Sequence, residues 1–543
     1  MLVYHKVMAK YLDWIIVAVL AVIVLLFYWG LKDSFYQQDE WMALGNVLSL
    51  GDQYFLSRND GVLSILVTQG RILSGGITYF IYKNYPFDVL PFVVIALGLH
   101  LVNTVLVYYV SRKLFKDRIA GFLAALFFAL NSVSAGATTW PAASLGVTIA
   151  STSIILAVLL FYERQQFLCF GLLYISLHFK EIGSYLFFAL PILSFFIWRE
   201  GLTRNFRNYW YFYLFGILYY VFWYLQLKSV TVEKDLFLTG SSNSFVFTAL
   251  ARSVMYPLTS FSLSFFPSSL MLGFAKNLTM LYYPFLAGNL DLVSQTVVLD
   301  MIALVLTFGI FFVVYLRAGA GVKRVNLNVL VIVILSLGSY LPYIAISKSY
   351  AYLESRYYYL GVVGSALVLA FLVTSFKKKS DVAYVSLLVF VLGLTFLHLT
   401  CLRGEINRLG YSAKVNKSIL EQVDQILPRM GESGTVIYLE GDRNYYIGEG
   451  NPLPFQQGTG YTIALWYYGR NPKLKDVVKD RFLWDLGSQG YKESNGYVFG
   501  YYWNKEDLKA DLGAGGFGVE DVICLYYDSV DNRLSRYECT WNE

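Results

Sequence analysis

The chain has 543 residues, 57% of them hydrophobic, 18% aromatic and only 15% charged, with a formal net charge of +6. Soluble domains carry about 25% charged residues, and the apolar residues here form uninterrupted runs that a globular core does not require. A soluble globular protein is therefore excluded, and the positive charge is scattered over short linkers rather than gathered in a stripe, so no nucleic-acid partner is expected.

The first apolar run, Trp14 to Leu31, is longer than a signal-peptide core and is followed by no small-residue cleavage site, so it reads as a span that stays in the protein. Ten more runs follow, at 88–111, 119–136, 143–162, 167–178, 182–198, 209–227, 295–316, 325–346, 357–376 and 382–402. About 20 apolar residues cross the bilayer as a helix. Basic residues mark every second turn: Lys6 and Lys10; Arg112, Lys113, Lys116 and Arg118; Arg164; Arg199, Arg204 and Arg207; Arg317, Lys323 and Arg324; Lys377, Lys378 and Lys379. Such linkers stay in the cytoplasm. A cell-membrane protein of about eleven spans with a cytoplasmic N-terminus puts all of them there and leaves the C-terminus outside.

Phe167 to Trp198 is short for two full spans. One long helix would place Arg199, Arg204 and Arg207 outside, so two short spans meeting below the outer surface are preferred. Their joint is His178-Phe179-Lys180-Glu181. Charged groups and irregular backbone at membrane depth require a cavity or protein around them, so the joint predicts a cavity open to the outside. Two outer loops are long. The first, 32–87, holds Gly70, Gly75 and Gly76 and is expected to form interfacial helices. The second, 228–295, has an apolar middle broken by Pro267 and Pro284 that lies in the interface or dips in as a re-entrant pair; a further pair of spans would keep the parity.

Charges return from Arg403. The chain is therefore divided into a membrane domain, 1–402, and a small extracytoplasmic α+β domain, 403–543, in an otherwise all-α polytopic membrane protein. Asn416 to Leu427 reads as an amphipathic helix, and Thr435–Glu440, Tyr497–Trp503 and Val522–Asp528 read as strands. A two-residue turn at Asp531-Asn532 would set Cys524 across from Cys539, and an outside location would permit their disulfide; two free thiols are the alternative.

Four places carry candidate chemistry. Asp39-Glu40 follows the first span and is a solvated turn, or else a general base or a metal ligand pair. His178, Lys180 and Glu181 form either a structural ion pair or an anion site. Glu354-Ser355-Arg356-Tyr357-Tyr358-Tyr359-Leu360 is an aromatic belt with a snorkelling arginine, or a guanidinium fork for a phosphate. Arg71 anchors its loop to headgroups or joins a ligand site. His100 reads as a histidine satisfied inside the bundle, and Trp140-Pro141 as a helix start. There is no Walker loop, no G-x-S-x-G and no His/Cys metal spacing.

Taken in order, these motifs resemble the GT-C glycosyltransferases, and most closely the group of protein O-mannosyltransferases and tetratricopeptide-linked mannosyltransferases. Those families carry an acidic pair where this chain has Asp39-Glu40, a Lys-Glu after a short span, as at Lys180-Glu181, and an arginine-tyrosine stretch, as at Arg356-Tyr357. Ser355, between Glu354 and Arg356, departs from the pattern and puts a role for Glu354 in doubt. The resemblance covers residues 1–376 and implies transfer of a sugar from a polyprenyl-phosphate donor to a protein, lipid or glycan acceptor at the outer face of the bilayer. It implies Asp39 as base with Glu40 beside it, Lys180, Arg356 and Arg71 on the donor phosphate, and His178, Glu181 and Tyr357 in support. Members of the wider class differ in using a divalent metal such as Mg or Mn, so the resemblance leaves a metal open. A transporter for a lipid-linked sugar and a non-catalytic envelope-assembly protein are the competing readings.

Overall fold

The computed structural model describes residues 2–37, 39–54, 71–198, 201–229, 242–282, 292–318, 327–344, 352–377, 380–441, 455, 458–485 and 487–540. Gly70, Arg199, Pro284, Lys323, Arg324, Lys378 and Lys379, singled out above, lie outside these residues. The chain divides into two compact units, one of Met1–Trp29, Gly61–Ser74 and Val93–Glu405, the other of Gly30–Asp60, Gly75–Phe92 and Ile406–Glu543.

The N-terminal helices are α1 (Leu2–Tyr28), α2 (Asp39–Leu50), α3 (Ile72–Asn84), α4 (Leu90–Phe115), α5 (Arg118–Leu130), α6 (Pro141–Tyr162), α7 (Gln166–Leu177) and α8 (Leu186–Trp198). Then come α9 (Leu202–Ser229), α10 (Ser242–Leu263), α11 (Ser268–Tyr282), α12 (Leu292–Ala318), α13 (Leu327–Val333), α14 (Tyr359–Lys377) and α15 (Asp381–Ile426). Among the described residues six helices are long and apolar enough to cross a membrane, which marks the chain as a membrane protein. They match the expected runs at 14–31, 88–111, 143–162, 295–316, 357–376 and 382–402.

The remaining runs are helical but shorter or more polar. Those at 119–136, 167–178, 182–198 and 325–346 correspond to apolar helices of 10–17 residues. At 1.5 Å per residue, such helices cover only about half to four-fifths of the hydrocarbon layer. The run at 209–227 lies in the 28-residue α9, whose many tyrosines and tryptophans suit the headgroup level more than the bilayer centre. In the second loop, 247–263 and 268–281 form a helix pair bent by 108°. The backbone freed at that bend is answered by side chains: Asn131 Nδ2 donates to Ser264 O at 2.9 Å, and His398 Nε2 lies 2.9 Å from Phe265 O. Irregular backbone survives at membrane depth only when it is satisfied in this way.

In the helical unit, α14 is buried along most of its length. Its Tyr359 hydroxyl meets His100 Nδ1 at 2.8 Å and accepts from Asn103 Nδ2 at 3.2 Å, while His100 Nε2 faces Ala129 O at 3.1 Å. His100 is thus satisfied inside the bundle, as expected. α1 is tied in by Tyr28, whose hydroxyl donates to Ala129 O at 2.9 Å.

The second unit is built on a five-stranded sheet of order β2-β3-β1-β4-β5, with β1 Gly434–Gly441, β2 Gly490–Ser494, β3 Tyr497–Tyr502, β4 Val522–Asp528 and β5 Arg533–Tyr537. The three expected strands are β1, β3 and β4. They are parallel to one another, so the chain crosses over between them through helices, and only the edges β2 and β5 are antiparallel. The α+β expectation therefore acquires a parallel centre. The expected amphipathic helix at 416–427 has no start of its own: it is the end of α15, which runs 46 residues without a break at 403.

The β4–β5 turn also differs. Asp528 faces Arg533, so the loop is 529–532 rather than two residues, and Cys524 faces Tyr537. Asp528 sets this loop, because its Oδ1 accepts from Val530 N at 2.8 Å and Asp531 N at 3.2 Å. Cys539 lies past the last paired residue, and it is nevertheless bonded to Cys524 across a Cα separation of 5.6 Å.

Helix α2 belongs to this second unit. Tyr461 and Val478 close over Gly45, where a Cβ would collide with the Tyr461 hydroxyl, and Trp41, fully buried, meets Phe455 edge-on at 6.2 Å. Residues 30–60 and 75–92 thus group with the C-terminal residues, whereas the sequence reading divided the chain at 402/403.

Candidate functional site

Four stretches of the helical unit converge on one cluster of charge. The first is the joint. α7 ends at Leu177, Lys180 is extended at φ −160°, and a short turn, Glu181–Gly183, leads into α8. The helix therefore breaks where the charged residues fall, as the sequence indicated. The joint lies close against α6: a Cβ on Gly146 would approach Phe179 O at 3.1 Å, so a larger residue there would have to push the joint back by a few tenths of an ångström. The second stretch is Arg71, at φ 45°, a left-handed conformation that costs a non-glycine residue about 1–2 kcal/mol. Ser74 N donates to His178 O at 3.3 Å, which fastens the chain beyond Arg71 to the joint.

The third stretch is the turn Ser355–Tyr358 that opens α14. Ser355 Oγ donates to Val133 O at 2.6 Å and accepts from Gly136 N at 2.9 Å. Ser355 is thus the residue that pins the turn. The fourth is Trp140, directly before Pro141 at the start of α6.

These stretches bring Arg71, Lys180, Glu181, Arg356 and Tyr357 together, while the His178 ring packs edge-on against Tyr174 at 4.9 Å. Arg71 Nη2 lies 2.8 Å from Glu181 Oε2, and Lys180 Nζ lies 3.7 Å from Glu181 Oε1, too far for a good hydrogen bond. Arg356 pairs with Glu354 at 2.5 Å, and its guanidinium lies 4.1 Å from the centre of the Trp140 ring. Tyr357 acts as a common plate: Lys180 Nζ is 5.7 Å and the Arg356 guanidinium 5.1 Å from its ring centre, and Tyr343 stacks on it at 4.2 Å. Each such cation–ring contact contributes about 0.5–2 kcal/mol and leaves the charge in place.

Two observations bear on what the cluster can hold. Three cations share two carboxylates, so one positive charge is in excess. Arg356 Nε and His178 Nδ1 are buried and have no hydrogen-bond partner. Buried polar atoms normally find a partner, so Arg356 Nε, which can only donate, points to an acceptor oxygen at the cluster. Exposure falls from 44% at Arg71 to 12% at Lys180, so the cluster opens at Arg71 and deepens toward the lysine.

Asp39 and Glu40 lie in the other compact unit, in the first turn of α2. Glu40 is fully buried and its Oε2 accepts from Gln37 N at 3.2 Å, closing the start of the helix. Asp39 is half-buried. Of the pair, Glu40 is occupied in structure and Asp39 retains an accessible face.

Trp140, Tyr343 and Ser355 were not singled out as site residues by the sequence. Trp140-Pro141 carried only the signal of a helix start, and nothing in the chain connected it to Arg356. Among the described residues no three His, Cys, Asp or Glu side chains gather to hold a metal. The chain matches no protein-family model, no curated protein and no solved structure.

Proposed function

We propose that this protein is a membrane glycosyltransferase that moves a sugar from a polyprenyl-phosphate donor to an acceptor hydroxyl on the extracytoplasmic face, inverting the anomeric carbon. The observation that carries the reading is the single positive charge in excess at Arg71, Lys180 and Arg356, beside the unpartnered Arg356 Nε. A phosphodiester-linked sugar brings one negative charge, and its phosphate gains a second as the sugar leaves. Fixed cations that meet that developing charge lower the barrier. The acceptor oxygen bonds to the anomeric carbon from the face opposite the phosphate. The bond from that carbon to the phosphate oxygen breaks with its electron pair on the oxygen, and the hydroxyl proton passes to a carboxylate. Asp39 takes that last part by its place in the motif order.

The topology that goes with this reading has about eleven passes, a cytoplasmic N-terminus and the sheet-bearing residues outside. The Cys524–Cys539 disulfide supports an oxidising side for the tail.

Asp39→Asn tests the chemistry. With lipid-linked sugar supplied to membranes, transfer is expected to fall about 10²–10⁴-fold while donor binding stays unchanged. Full transfer by this variant would remove Asp39 as the base. The bent pair α10–α11 favours a second reading, since broken helices line the substrate paths of transporters. That reading predicts movement of the lipid-linked sugar across the bilayer with no product formed.

A further inference from the structure

At the end of α6 remote from Trp140 lies a different cationic region. Arg112 and Lys113 close α4, Lys116 follows at φ 57°, and Arg118 opens α5. Together with Leu156 and Leu160 of α6 they line a cavity of about 750 Å³. Arg112 and Arg118 share Asp13, the latter at 2.9 Å from Nε, and Lys113 pairs with Glu163. Asp117 is taken by Lys377 at 2.7 Å and by the amides that open α5. Lys116 is exposed and, among the described residues, enters no ion pair. Four cations against Asp13 and Glu163 leave two positive charges in excess around the cavity.

We infer that this cavity binds the phosphate headgroup of an anionic phospholipid, with an acyl chain lying along Leu156 and Leu160. Both helices that frame it, α4 and α6, are long and apolar enough to span the bilayer, and both end there. The cavity therefore falls at headgroup depth. A soluble anion would gain nothing from the leucine wall, whereas a phospholipid satisfies the charge and the apolar surface at once. Tyr109, which also lines the cavity and is 39% exposed, has the amphipathic ring that favours this level. None of these features depends on the transfer chemistry proposed above.

Native mass spectrometry of the full chain in detergent, titrated separately with phosphatidylglycerol and phosphatidylcholine, tests it. Phosphatidylglycerol is expected to be retained about 25-fold more tightly, since each of the two basic residues in excess contributes roughly a factor of 5 near a headgroup. Lys116→Gln should lower phosphatidylglycerol retention about 5-fold and leave phosphatidylcholine unchanged. Leu160→Trp, which fills the apolar wall without changing charge, should lower it as well. Inorganic phosphate should not displace the lipid. Equal retention of the two lipids would overturn the inference. So would displacement by phosphate with Leu160→Trp inert, which would mark a soluble-anion site. Lys116 is on the surface, so Lys116→Gln keeps the test decisive even if Leu160→Trp fails to fold, and unchanged retention by the folded Lys116→Gln protein would also refute it.

Discussion

The helical unit holds its cations in two ways. At the linker between α4 and α5, Arg112, Arg118 and Lys113 each reach a carboxylate, and Asp13 reaches from α1 to tie two of them to that helix. At the joint between α7 and α8, Lys180 and Arg356 lie on aromatic faces, and one carboxylate, Glu181, serves both Lys180 and Arg71. Pairing with carboxylates neutralises charge and fastens helices. Stacking on rings fixes position and leaves charge for a ligand. The same residue types are therefore held mainly by carboxylates in one place and partly by rings in the other.

That contrast can be broken by substitution. Lys180→Ala or Arg356→Ala should weaken binding of a polyprenyl-phosphate donor about 30-fold, the value of a hydrogen bond to a charged group, with little change in the unfolding temperature. A large stability loss with unchanged binding would make the joint another structural tie. Asp13→Asn should do the reverse. It leaves Arg112 and Arg118 without their carboxylate and should destabilise the fold by about 1–3 kcal/mol in thermal unfolding, without altering donor affinity. Glu181→Gln sharpens the comparison further: it removes a competing anion from the joint and should tighten binding of the donor phosphate several-fold, read by the same titration.

The smallest effect is expected at Asp117, which caps α5 by accepting from Ile119 N at 2.9 Å and Ala120 N at 3.1 Å. Burial raises its pKa, but the bond from Lys377 and those two amides outweigh burial and hold the carboxyl below its usual range. The depressed value means that its contribution is complete above about pH 4, the unfolded carboxylate's range, and fades as the pH falls through the folded value. Asp117→Ala should lower stability by about 1 kcal/mol at neutral pH and by less in acid.

Much of this was legible in the chain. Apolar runs and their basic flanks gave six long helices, and charged residues inside an apolar stretch marked the break at His178 to Glu181, because a helix carrying Lys180 and Glu181 would have to bury them in lipid. Alternating apolar residues gave three of the five strands. What escaped was information that no local pattern carries. Trp140 and Tyr343 meet Arg356 and Tyr357 only through folding. The grouping of α2 with the C-terminal residues depends on Gly45 fitting beneath Tyr461 and Val478, which no periodicity reports. The β4–β5 register turned on the Asp528 side chain, which closes a loop two residues longer than the Asp531-Asn532 signal implied.

A structure of the full chain in a lipid nanodisc with a polyprenyl-phosphate sugar bound tests the central claim most directly. The account predicts a phosphate within hydrogen-bonding reach of both Lys180 Nζ and the Arg356 guanidinium, roughly 3 Å from each. A donor phosphate seated elsewhere, with those two side chains still turned to Glu181 and Glu354, would contradict it.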